Sequence, residues 1–73
     1  MDNKIIIKML EELMEVDEGT LLPTTRLAEL EEFDSMARLS LIVMMNDEFE
    51  KKLSVKHIKE FRTIQDIIDF IHA

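Results

Sequence analysis

The chain contains no cysteine among its 73 residues, and only one glycine and one proline. Without cysteine there is no disulfide framework, no thiolate zinc site and no thiol nucleophile of the protein's own, so any thiol it uses must be borrowed. With so little glycine and proline and an apolar content of 47%, the composition is that of a folded, helix-rich unit, neither a linker nor a disordered segment. No stretch reaches the run of about 20 apolar residues that a bilayer-spanning helix needs. The opening MDNKIII also lacks the long apolar centre of a signal peptide. Together these features predict a soluble, cytoplasmic, monomeric protein without membrane insertion, forming one domain over residues 1–73.

Basic residues are scarce as well: 9 Lys and Arg stand against 16 Asp and Glu, a formal charge of −7. A phosphate backbone repels such a surface, which excludes nucleic acid as the main partner. The charges are also segregated. Residues 11–34 hold nine acids and the single base Arg26, whereas residues 51–62 hold Lys51, Lys52, Lys56, Lys59 and Arg62 against Glu60 alone. Such runs serve either as solvated faces that keep a small domain in solution or as surfaces that steer a partner of opposite charge.

Hydrophobic periodicity predicts four helices. Ile6, Met9, Leu10 and Leu13 follow the spacing of one helix face, giving a first helix over residues 3–16 that is capped by Asp2 or Asn3 and followed by Gly19. Residues 17–33 form a long connection, pinned by Leu21, Leu22, Leu27 and Leu30, with room for a short helical turn near Leu27 to Leu30. A second helix starts after Asp34, its N-cap. Leu39, Ile42, Val43 and Phe49 lie on or near one face of it, and Leu41, Met44 and Met45 widen the stripe until the helix is apolar around much of its circumference. Ser54 caps a short third helix ending near Glu60, and Thr63 with Asp66 makes a capping box for a last helix carrying Ile64, Ile67, Ile68 and Ile71. The expected architecture is all-α: an irregular four-helix bundle with three longer helices, a short third one and a long first loop.

Read in order, EFDSMARLSLIVMMNDEFE and then TIQDIIDFI resemble the acyl and peptidyl carrier protein family, whose shared motif is Asp-Ser-Leu at the start of the second helix. Thr25, Leu27 and Leu30 match the family's spaced leucines before the motif, and the likeness runs without a gap from residue 34 to residue 71. The resemblance implies that Ser35 receives a 4'-phosphopantetheine arm from coenzyme A through a separate, magnesium-dependent phosphopantetheinyl transferase. It further implies that Asp34 and Met36 belong to what that enzyme recognises, with Phe33 and Arg38 beside them. An acyl- or aminoacyl-loading ligase and acyltransferases are the other implied partners. A phosphodiester at a helix N-terminus meets unpaired N–H groups and the positive end of the dipole, which suits the implied attachment.

Several residues keep two readings. Met36, where the family has Leu, is either an adaptable contact beside the arm or a filler of nearby core. Phe33, where Gly is common, either stiffens the turn or adds an apolar surface. Leu39, Val43, Met44, Ile64 and Ile68 are core residues or the lining of a space for an acyl chain. His57 and His72 are too isolated for a metal site and read as exposed or capping. The acidic pairs Asp47 with Glu48 and Glu31 with Glu32 resemble no calcium loop, so no metal is expected.

Departures from the resemblance bear on pathway. Fatty-acid-synthesis carriers are typically acidic just after the motif and in the third helix, whereas Ala37, Arg38 and Ser40, then Lys56, His57 and Lys59, stand at those places here. This predicts a carrier dedicated to its own loading enzymes. The alternative is an unmodified helical module that binds a basic partner surface through its acids. Independent catalysis is excluded by the lack of any convergent nucleophile and base.

Overall fold

The computed structural model describes residues 3–73, and among them every regular element is helical. Four α-helices follow in order: α1 (Asn3–Met14), α2 (Ser35–Phe49), α3 (Val55–Glu60) and α4 (Ile64–His72), with a single 3-10 turn at Leu27–Glu29 in the first connection. The irregular all-α bundle expected from periodicity is the fold observed. No helix among the described residues is long and apolar enough to cross a membrane.

In α1, Ile6, Leu10 and Met14 recur every fourth residue and are buried, so they form the stripe that meets the rest of the bundle. The helix stops at Met14, two residues short of the expected end. Glu15 turns left-handed at φ 57, its N–H donates to Glu12 O at 3.2 Å, and Val16 N–H donates to Glu11 O at 3.0 Å. That pair of bonds satisfies the last carbonyls of the helix without glycine. Gly19, at φ 89, serves a turn further on. Of the two expected caps, Asp2 lies outside the described residues; Asn3 is already helical, and its Oδ1 sits 3.2 Å from His72 Nε2, joining the two ends of the chain.

The buried face of α2 is not the one the apolar pattern suggested. Ala37, Leu41 and Met45 are buried, while Leu39 and Val43 are 61% and 55% exposed and so do not belong to the core. Ile42, Met44 and Phe49 are half-buried against it. With apolar residues nearly all round, the choice of face falls to the neighbouring elements, and α1 packs on both α2 and α4. The caps of the short helices form as expected. Ser54 Oγ accepts from His57 N while His57 Nδ1 accepts from Ser54 N, which makes His57 a capping residue. Thr63 Oγ1 accepts from Asp66 N and Asp66 Oδ2 from Thr63 N. Ile64, Ile67, Ile68 and Ile71 of α4 are buried at the centre.

Leu21 and Leu27 do pin the long connection, but Leu22 is 58% exposed and does not. Two polar devices hold the connection as well. Glu11, only 4% exposed, turns its carboxylate toward the loop, where Oε2 accepts from Gly19 N at 2.8 Å and Leu21 N at 3.1 Å. At the far end, Arg26 and Thr63 form an antiparallel bridge, and the first amides of α4 donate into the loop: Ile64 N to Thr25 O at 3.1 Å and Gln65 N to Pro23 O at 2.9 Å. Loop carbonyls thus satisfy amides that a helix N-terminus leaves open. We expect Glu11→Leu to cost about 2–3 kcal/mol, because buried amides lose a charged acceptor. Glu11→Gln, which keeps an acceptor oxygen, should cost clearly less; equal losses in urea titrations would show that the acceptor is immaterial.

Candidate functional site

The first turn of α2 is built by its cap. Asp34 is extended (φ −88, ψ −171), its Oδ1 accepts from Ala37 N at 2.9 Å, and its carbonyl accepts from Arg38 N at 3.0 Å. Ser35 is the first helical residue and is exposed, as is Met36 at 75%. That exposure rules out Met36 as a core filler. Among the described residues, the amides of Ser35 and Met36 donate to no protein group. A hydroxyl on a helix N-terminus with open amides fits a phosphodiester attached at that oxygen.

Phe33, just before the cap, is 6% exposed, so it adds no apolar surface; it anchors the end of the loop in the core. Arg38, one turn into α2, lays its guanidinium over that ring, with Cζ 5.5 Å from the centroid. A groove of about 460 Å³ opens beside Ser35, between α2, the 3-10 turn and α3. Ser35, Arg38, Leu39 and Ile42 of α2 form one wall, and Val55, Ile58 and Lys59 of α3 form another. Leu27, Ala28, Phe33 and Phe61 complete the lining.

The structure divides the five residues read as core or acyl lining. Leu39 lines the groove; Val43 is exposed outside it; Met44 is half-buried; Ile64 and Ile68, at 0% and 1% exposure, belong to the central core. Val55 and Ile58 of the groove escaped the sequence reading, and Ile42 was read only as part of the apolar face of α2. A signal was present in Val55 and Ile58, three residues apart on a helix read for its cap and its charges but not for its apolar positions. Nothing in the sequence linked Leu27 or Phe61 to Ser35, because only the tertiary fold brings them there.

The family model described as phosphopantetheine attachment site matches residues 4–71 of the chain. No curated protein matches it. Members of that family are carriers without catalysis of their own, which bear a covalently attached phosphopantetheine arm and meet a modifying transferase and biosynthetic enzymes. Matched over nearly its whole length, this chain belongs to the phosphopantetheine-attachment family.

Proposed function

We propose that Ser35 is the attachment residue, and that the protein delivers an acyl or aminoacyl group to enzymes of a dedicated pathway. The observation that carries this reading is the exposed Ser35 hydroxyl on the first residue of α2, at the mouth of an apolar groove. On the transferase, Ser35 Oγ would form a bond to the phosphorus that bears pantetheine, lose its proton, and release the adenosine bisphosphate half of coenzyme A. When attached, the arm supplies the terminal thiol that a cysteine-free chain lacks. The groove offers shelter to an apolar chain, and Asp34, Met36 and Arg38 present the turn to partners. The unit so described is one domain over residues 1–73, acting as a cytoplasmic monomer.

Intact mass after incubation with coenzyme A, magnesium and a broad-specificity phosphopantetheinyl transferase tests the attachment. One phosphopantetheine adduct is expected; no adduct with several active transferases would favour the unmodified interaction module. The choice of pathway rests on Arg38, Lys56, His57 and Lys59, which oppose the acidic pattern that basic fatty-acid enzymes read. Like charges brought together at a docking surface cost association. Malonyl transfer to the modified protein by a housekeeping malonyltransferase is therefore expected to run at least about tenfold below its rate on a fatty-acid carrier. Equal rates would remove the dedicated-pathway reading.

A further inference from the structure

The groove beside Ser35 lies within the size range of ligand pockets, roughly 300–1,000 Å³, at about 460 Å³. Its walls are apolar, which accounts for an aliphatic chain. They do not account for its charges. The charged side chains in the lining are Arg38 and Lys59, both cations, in a chain with 16 acids. Neither is bonded to a carboxylate among the described residues. Arg38 is instead held over the Phe33 ring, a contact that fixes the guanidinium without neutralising it. Two cations gathered at one apolar hollow repel each other, and an anion between them turns that repulsion into attraction. The planar fork of arginine suits a carboxylate, and lysine adds a point charge.

We infer that the cargo is an acyl group bearing a carboxylate away from its thioester, held between Arg38 and Lys59 at the rim of the groove. This rests on the reading that Ser35 carries the arm. The arm's own phosphodiester is the other anion that could use these cations, and the experiment separates the two.

Broad-specificity transferase would load the full chain with three arms: unacylated, hexanoyl and adipoyl. The last two have equal carbon counts and differ in a terminal carboxylate. Mass confirms each loading, and thermal midpoints are compared at low salt. The adipoyl form is expected to melt about 2–5 °C above the hexanoyl form, the scale of a partly exposed ion pair in a domain this small. Arg38→Gln with Lys59→Gln should abolish that difference, and Lys59→Gln alone, outside the recognition turn, should reduce it. Equal midpoints overturn the inference. So does a gain already complete with the unacylated arm, which would assign the cations to the phosphodiester. Failure of all three arms to load is a different result: it removes the Ser35 reading itself, and the inference with it.

Discussion

Ser35→Ala is expected to leave the protein folded and to abolish the phosphopantetheine adduct entirely. The fold survives because Ser35 is not the cap of α2. Asp34 accepts the Ala37 amide, and the Ser35 side chain is exposed. Surface replacements of this kind stay within about 0.5 kcal/mol. Asp34→Ala makes the opposite change: it keeps the hydroxyl and removes the cap, at a cost of about 1 kcal/mol, seen as a thermal midpoint lower by roughly 4–8 °C. Comparing the two by intact mass and melting separates attachment from capping. An adduct that persists in Ser35→Ala would move the site to another hydroxyl and undo the functional reading.

The second large effect concerns the core. Leu41→Ala removes a fully buried side chain from the seam of α2, which should cost about 2–5 kcal/mol, against a total of about 5–10 kcal/mol for a domain near this size. Leu41 is 0% exposed, whereas Val43, two residues on, is 55% exposed. Val43→Ala should therefore change stability by no more than about 0.5 kcal/mol. Denaturant titrations of both variants check the pair. Comparable losses would mean that α2 turns a different face to the core.

These two positions also show what could be read before the fold was known. Ser54 with His57 and Thr63 with Asp66 were legible as caps or cap partners because a cap is a local device, closed within one turn. The face of α2 was not. Leu39, Ile42 and Val43 are as apolar as Leu41, so the pattern within the helix carries too little information to choose, and the choice is made by α1, which no local spacing reveals. Glu11 was misleading in the other direction. A glutamate in an acidic run reads as solvated, and only the return of Gly19 and Leu21 makes it an internal acceptor. At the candidate site, the turn at Asp34 and Ser35 stood out in the chain. The groove did not, because Leu27, Val55 and Phe61 meet there only after folding.

The hydrogen bonds from Ile64 and Gln65 to Thr25 and Pro23 span about half the chain. Contacts so distant in sequence close late, since the entropy of a large loop must be overcome before they form. On the ribosome, the carbonyls of Pro23 and Thr25 lack their α4 donors until the residues that begin that helix have emerged. The segment leading into Ser35 is therefore held in its final place only after the start of α4 has emerged. An enzyme that requires that turn in its finished form would discriminate against chains whose α4 has yet to emerge, so that modification at Ser35 would mark domains already folded.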